Sequence, residues 1–533
     1  ADEAGRDFKP AQASSAIDAG DDAGTVLADK SGAARRDYPG SENGATGISD
    51  IGPYEFKGVT QLRVTTPNGG ETWPASSQQV VTWTAADLEL LTIEFSSDGG
   101  ATYSPVLTDV AATSGQATIT VPDQGSPDYL IRLVSAVPAL TETSDTRFTV
   151  TSTDSVFVDP SASGAQSGST WQDAYTSLGP ALAGAEFGTT VHVAEGTYQA
   201  TVATNALVPL PPGVTLLGGY PAGGGLRDPA THATILDGNA LAAHVVTTSG
   251  DGVVDGVHII NGGSVFQGGG VYMTGGNFTL ANSYVTNNTA IEGGGIFGHQ
   301  PPGIVRIQNS IIENNSGSVS EVVVEDGVSL HLIDTVVRMG TNGCVLKGAG
   351  GQLIIDGGSF TYCDGSPAVS IGQSTLGPNR ITGALIANNT ASMSSSRAGI
   401  SVGTDTDLFL RDVVFRDNSG GDSPAIGGFG GELLRIETCV FEGNETTGTI
   451  LPNRVIDVGS FERVEIVNST FHTEDDMQLI GARFAGTFTN TVSVVNSIVW
   501  GPAGAVAFEP SIASLSVSYS NVVGGATGDG NLS

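Results

Sequence analysis

A short apolar pattern is repeated eleven times between Val253 and Val523. In each copy, alternating apolar residues lead to a β-branched or aromatic residue, and a turn follows. We call these last core-type residues the index residues, and successive ones are 23 to 30 positions apart. Alternation with period two and a repeat of this length predict a β-solenoid. The index residues are Ile259, Val285, Ile312, Val337, Phe360, Ile386, Phe415, Phe441, Phe471, Val499 and Val522.

Asparagine recurs three positions after many index residues. Asparagine tolerates the left-handed backbone of tight corners, and amides stacked from one repeat to the next can hydrogen-bond as a ladder. The sequence therefore predicts a structural role for these side chains. They are Asn288, Asn315, Asn389, Asn418 and Asn444.

The charge balance excludes one class of partner. The chain has 21 Lys and Arg against 55 Asp and Glu, a formal charge of -34. Binding to nucleic acid or to an anionic membrane surface through a basic patch is therefore not expected. No run of 18 apolar residues occurs, so we predict no membrane insertion.

The cysteines leave one pairing open. Cys344, Cys363 and Cys439 are too few for a disulfide scaffold and lack the spacing of metal ligands. Cys344 and Cys363 fall on neighbouring repeats, where they could form a disulfide or remain buried thiols.

Residues 59–152 contain six alternating strands separated by turns such as Asp98-Gly99-Gly100, which predicts a sandwich of two antiparallel sheets. Trp73 and Trp83 could form a sugar-stacking platform, but core packing is the favoured interpretation. Asp98 is interpreted as a turn residue, with calcium as the alternative.

Residues 153–252 begin the solenoid. Apolar residues recur with helical spacing between Trp171 and Ala185, and Pro180 implies a kink or a helix start. An amphipathic helix here would cover the first repeat and shield its interior from water.

Several motifs resemble known modules. Two triple glycines and the tetrapeptides FRDN and FEGN resemble motifs of right-handed β-helices of the polymorphic-outer-membrane-protein type. The first part of the solenoid resembles the start of the same β-helices. PNGGETW and VVTWT resemble an immunoglobulin- or fibronectin-like module. SSAIDAGD and DIGPYEF, within residues 1–58, resemble the closing motifs of the choice-of-anchor Q domain. The resemblance implies an all-β chain, with a right-handed parallel β-helix of about 12 rungs over residues 153–533.

Parallel β-helices also carry lyases and hydrolases, so the acidic residues of the repeats need scrutiny. Hydrolysis of glycosides needs two converging carboxylates. Glu321 and Glu325 are interpreted as solvated loop residues, and Lys347 has no aspartate cluster near it in sequence. We predict no catalytic residues and no cofactor. Four aspartates remain weak candidates for calcium: Asp405, Asp407, Asp475 and Asp476.

The order of the closing motifs suggests a partner. In the resembling family they follow the β-helix, whereas here they precede it, and joining Ser533 to Ala1 would restore the family order. We therefore expect residues 1–56 of one unit to complete the β-helix of the preceding unit, either as tandem units of one polypeptide or as separate subunits. The predicted interface contains Phe8, Ile17, Ile51, Tyr54, Phe56, Val517, Tyr519, Val522 and Leu532.

From these expectations we predict a structural function. The chain is predicted to be a non-enzymatic, extracellular or cell-surface unit of a head-to-tail filament or adhesive fibre, with glycans or a cell surface as further partners. The alternative is a carbohydrate-binding or carbohydrate-active β-helix. A third interpretation is a single adhesin with arbitrary ends.

Overall fold

The chain divides into two compact units, residues 1–153 and 154–533. Residues 1–59, which include the segment predicted to close a β-helix, lie outside the described residues. The computed structural model describes residues 60–263, 265–391, 397–421, 423–447, 454–458, 461–473, 478–481, 491–502, 506–508, 512, 514–524 and 528–531.

Two packed sheets form the described part of the first unit. Their facing side chains share one core, in which Trp73 and Trp83 are buried. The Trp83 indole N–H donates to the carbonyl of Ala112 at 2.8 Å, so the predicted core role of both tryptophans is confirmed. The smaller sheet contains Gln61–Thr66, Gln78–Ala86 and Gln116–Thr120. The larger sheet contains Thr72–Pro74, Phe148–Thr151, Ser126–Ala136, Leu90–Ser96, Ser104–Ala111 and Ala139–Thr143.

Three long parallel sheets form the second unit, which is a right-handed β-helix. They contain 14, 13 and 12 strands, and each strand pairs with its equivalent in the next turn. The predicted all-β class and a solenoid of about a dozen rungs are thereby confirmed.

Sheet 1 contains the strands Ser155–Val158, Thr190–Ala194, Val214–Tyr220, Gly252–Asp255, Gly276–Ala281, Gly303–Gln308, Ser329–Ile333, Leu353–Asp356, Asn379–Thr382, Leu408–Arg411, Leu433–Glu437, Arg463–Val467, Thr491–Val495 and Ser514–Ser518. Sheet 2 contains Gly196–Gln199, Thr234–Asp237, Val257–Ile260, Tyr284–Thr286, Ile311–Glu313, Val336–Arg338, Ser359–Thr361, Leu385–Ala387, Val414–Arg416, Val440–Glu442, Thr470–His472, Ile498–Trp500 and Asn521–Val522. Sheet 3 contains Thr204–Pro209, Ala242–Thr248, Val271–Met273, Ile296–Gly298, Val322–Val324, Val345–Lys347, Val369–Ile371, Ile400–Val402, Ile426–Gly428, Arg454–Asp457, Gln478–Gly481 and Val506–Phe508. Two short pairs lie outside these sheets: Val265–Gln267 with Ala290–Glu292, and Ser419–Gly420 with Glu445–Thr446.

The index residues form one continuous column in sheet 2. All eleven are buried, and each pairs in register with the next. Phe415, Phe441 and Phe471 stack with ring centroids 4.7 and 4.5 Å apart and nearly parallel planes. Insertions between copies therefore do not shift the register, because they are accommodated outside this strand.

Left-handed corners border the short strands of sheet 2. The residue three positions before every index residue has a positive φ, as in Asn282 (48°) and Asp334 (45°). The residue two positions after the index residue also has a positive φ in the copies through Phe441, as in Asn287 (57°). Asn, Asp and Gly are common at these corners because they tolerate this conformation.

The asparagine ladder is confirmed, but its backbone role is corrected. The Asn389 amide Nδ2 donates to Asn418 Oδ1 at 2.8 Å, and Asn418 Nδ2 donates to Asn444 Oδ1 at 2.8 Å. Asn288 and Asn315 are joined in the same way at 2.9 Å. The residue with left-handed backbone is the one before each ladder asparagine. That residue makes the corner, and the asparagine side chain that follows it is buried.

The triple glycines make room for this ladder. A Cβ on Gly270 would lie 2.5 Å from the Gly295 carbonyl and 3.0 Å from Asn288 Nδ2. A Cβ on Gly295 would likewise meet Asn315 Nδ2 at 3.1 Å. A side chain at either position would push the rungs apart, so these glycines are required by packing.

The helix Leu178–Ala183 covers the first rung. Its buried residues Leu178, Ala181 and Leu182 belong to the solenoid core, which confirms the predicted covering role. The helix is shorter than the apolar spacing predicted, because it begins after Ser177, and Pro180 therefore lies in its first turn.

The structure pairs Cys344 and Cys363 as a disulfide between neighbouring rungs, with their Cα atoms 5.6 Å apart. Cys439 is a buried free thiol. Among the described residues, no helix is long and apolar enough to cross a membrane.

Tyr362 tests the corner geometry. It has a φ of 56° and is 57% exposed, so its ring contributes little packing while its backbone is strained. We expect Tyr362→Gly to stabilise the protein by about 1 kcal/mol and Tyr362→Val to destabilise it. Urea unfolding measures both, and an unchanged or lower stability of the glycine variant would contradict the corner assignment.

Asn418 tests the ladder. Asn418→Ala removes the acceptor of the Asn389 amide and the donor to the Ile386 carbonyl, all within the buried interior. We expect a loss of about 3 kcal/mol in the free energy of unfolding. The matched control is Asp417→Asn on the exposed corner, which should change stability by less than about 0.5 kcal/mol. Equal losses in the two variants would show that the ladder contributes nothing specific.

Candidate functional site

A row of polar and aromatic side chains lies on the outer face of sheet 2. Because strand residues alternate between faces, the position after each buried index residue points outwards. Arg416, Glu442, His472 and Trp500 occupy this position in four successive rungs and pair in register. Neighbouring members are therefore separated by one strand spacing, about 4.8 Å.

A cleft of about 380 Å³ adjoins three members of this row. Arg416 Nε donates to Glu442 Oε2 at 3.0 Å, which fixes both side chains on the cleft wall. A Cβ on Gly443 would lie 2.2 Å from Asp417 Oδ1, so a larger residue at this corner would displace the exposed Asp417 side chain. The lining residues are Arg416, Asp417, Glu442, Gly443, Asn444, Glu445, His472 and Thr473.

The cleft combines hydrogen-bond donors and acceptors on a rigid wall. Asp417 and Glu445 are exposed carboxylates, and His472 is half-buried. The Asn444 amide is already engaged, since Nδ2 donates to the carbonyls of Phe415 and Glu442. Such a site can bind a polar molecule by several directed hydrogen bonds.

The two calcium candidates that the structure describes, Asp405 and Asp407, belong to no metal-binding cluster. Asp405 lies in an exposed turn, and Asp407 Oδ1 accepts a hydrogen bond from the Leu433 backbone at 2.8 Å. Asp475 and Asp476 lie outside the described residues. Asp98 in the sandwich accepts hydrogen bonds from Ser96 and Thr102, which hold the pKa of its carboxyl below the usual range. Over the described ranges, no group of three or more His, Cys, Asp or Glu could hold a metal.

The terminal rung, defined here as residues 514–522 with the strands Ser514–Ser518 and Asn521–Val522, contains three of the predicted interface residues. Val517 and Val522 are buried, whereas Tyr519 is 66% exposed. Leu515 continues a column of core residues and pairs in register with the fully buried Val492, yet it is 42% exposed. The interior of the solenoid is thus partly open at this rung. The other predicted interface residues, Phe8, Ile17, Ile51, Tyr54, Phe56 and Leu532, lie outside the described residues.

A serine ladder ends at this rung in an unusual way. The backbone N–H of Ser497 donates to Ser520 Oγ at 3.1 Å, as Ser469 N–H does to Ser497 Oγ. The Ser520 N–H in turn donates to Asn531 Oδ1 at 3.0 Å, and Asn531 Nδ2 donates to the Val517 carbonyl. Asn531 therefore takes the place that the hydroxyl of a further rung would occupy.

Glu321 is buried, which corrects its interpretation as a solvated loop residue. It is 2% exposed and closes the first asparagine ladder by accepting hydrogen bonds from Asn315 Nδ2 at 2.6 Å and Asn315 N at 3.0 Å. The next rung has Gly340 at the ladder position, and a Cβ there would lie 3.0 Å from Glu321 Cγ. Burial raises the pKa of this carboxyl to about 8.

Lys347 is also buried, at 1% exposure, and its Nζ donates to the carbonyls of Gly372 and Gln373. Burial lowers the pKa of this ammonium to about 8. These hydrogen bonds join its rung to the next rung, and Lys347 does not line the cleft.

Sequence reasoning missed the outer row and the cleft. The row is recoverable by aligning the copies on the index residue and reading the next position, which gives Arg, Glu, His and Trp in succession. The sequence indicates the burial of Glu321 more weakly, through a glycine at position 340, where the ladder pattern predicts asparagine.

Comparisons with known proteins add little to this geometry. No protein-family model and no curated protein matches the chain. Pectate lyase Pel9A is similar over 69% of this chain and 78% of that chain, with 13% identity and a TM-score of 0.28. Dex49A from Penicillium minioluteum is similar over 85% and 77%, with 10% identity and a TM-score of 0.18. The assignment as a parallel β-helix follows from the strand pairing.

Glu321 gives a pH-dependent prediction. Because the pKa in the folded state exceeds that of an unfolded glutamate, the folded state binds the extra proton between about pH 4.5 and 8. The stabilising contribution of the protonated carboxyl is complete below pH 4.5 and is lost as the pH rises to about 8, a change of roughly 5 kcal/mol.

Glu321→Gln keeps an acceptor for Asn315 without the charge, so this decline should largely disappear. Urea unfolding at pH 5 and pH 8.5 measures it, with Asp405→Asn on an exposed turn as the control. A glutamine variant with the same pH dependence as the original protein would contradict the burial argument.

Proposed function

We propose that this protein is a structural, non-enzymatic unit of a surface filament and that it assembles head to tail through its terminal rung. The proposal rests on the contact made by Asn531, whose side chain substitutes for the serine of a further rung. A segment of chain can therefore continue the ladder without forming a complete turn.

The open interior at Leu515 favours a further rung-like partner. A core column that ends 42% exposed gains free energy when another apolar side chain covers it. The backbone groups of an edge strand offer the directional part of such a contact. Residues 1–56 of a second unit are the proposed occupant, because their motifs resemble those that close a β-helix. Such a heterologous contact generates an open filament.

Two blocked variants test this assembly. Leu515→Glu places a charge in the open end, while Ile51→Asp with Phe56→Asp alters the proposed donor segment. Each variant alone should remain monomeric, because it lacks one half of the contact. An equimolar mixture should form dimers that grow no further, since one donor and one acceptor remain intact.

Sedimentation velocity measures the species, with Leu226→Glu as the control because Leu226 is 92% exposed elsewhere on the solenoid. This control should assemble like the unaltered protein. A mixture that contains only monomers, or an unaltered protein that is monomeric at all concentrations, would overturn the proposal.

A further inference from the structure

Trp500 extends the outer row beyond the cleft. It is 56% exposed and lies in register beside His472, with Ile498, 48% exposed, on the same face of the strand. A tryptophan so exposed on a rigid sheet costs solvation free energy unless a ligand covers it. An apolar platform therefore adjoins a polar cleft.

We propose that the cleft and Trp500 together bind a neutral oligosaccharide. Sugar rings have an apolar face of C–H groups and a rim of hydroxyls, so they need a flat aromatic surface beside directed hydrogen-bond partners. The strand spacing of about 4.8 Å separates neighbouring side chains of the row by about the length of one pyranose ring. Consecutive rungs can therefore contact consecutive sugars.

The polar groups favour hydroxyls as ligands. The Asp417 and Glu445 carboxylates accept hydrogen bonds, and His472 offers a ring nitrogen. Carboxylates form strong, charge-assisted hydrogen bonds with hydroxyl groups. Because these groups lie on backbone that is hydrogen-bonded within the rungs, binding has to order only the side chains themselves.

The charges disfavour an anionic chain. The Arg416 guanidinium is already paired with Glu442, while Asp417 and Glu445 add two further negative charges. The whole chain carries -34, which repels polyanions at a distance. An uncharged oligosaccharide is not repelled by these carboxylates.

Titration calorimetry of the full-length protein tests the site with cellohexaose, maltohexaose and xylohexaose as neutral probes and hexagalacturonate as the acidic probe. At least one neutral probe should bind. Trp500→Ala should weaken that binding about tenfold through lost stacking, and Glu445→Gln should weaken it several-fold through lost charge-assisted hydrogen bonds. Phe429→Ala, which removes another exposed aromatic ring from sheet 3's border, should leave the affinity unchanged.

Three outcomes would overturn the proposal: no binding of any neutral probe, tighter binding of hexagalacturonate, or an affinity unchanged by Trp500→Ala. Sedimentation of the Trp500→Ala variant separates this site from the filament contact. Assembly should be unaltered, and a loss of assembly would identify the face as a contact between copies instead.

Discussion

The register of sheet 2 is the constraint on which the rest of the second unit depends. A strand of two to four residues cannot hold a register by its own hydrogen bonds. Here the left-handed corner before the index residue and, through most copies, the one after it fix where the strand begins and ends. The buried asparagine and serine ladders then join equivalent atoms of successive rungs. Loops of different length can consequently be inserted without displacing the core, which explains the variable spacing of 23 to 30 residues.

The same register explains the geometry of the two proposed binding surfaces. Outward positions of successive rungs repeat at one strand spacing, so a polar row such as Arg416, Glu442 and His472 is aligned by the fold itself. The ladder side chains also repeat from rung to rung. Each rung therefore offers the next one the same hydrogen-bond donors and acceptors. Asn531 already accepts the hydrogen bond from the Ser520 N–H, so the proposed filament contact would instead cover the exposed Leu515 on the same rung.

Much of this could be predicted from the sequence because period-two alternation reports directly which side chains are buried. The index residues follow from this alternation, and the ladder asparagines follow from their fixed spacing after the index residues. The core role of the two sandwich tryptophans follows from their large apolar rings. Features that depend on contacts between rungs were harder to predict. The asparagine pattern predicts the left-handed corner one residue late. Charge alone predicts a solvated Glu321, because its burial depends on the space left by Gly340. The cleft was missed because its walls come from residues about 26 positions apart.

The central claim is that stacking continues from one chain to the next in the register of the ladders. Electron cryomicroscopy of the assembled, unaltered protein at side-chain resolution tests it most directly. The account predicts strands from residues 1–56 of a second copy on the terminal rung, with an apolar side chain covering Leu515 and Asn531 still bound to Ser520. Particles in which residues 1–56 lie on their own chain, or in which copies meet through another surface, would contradict it.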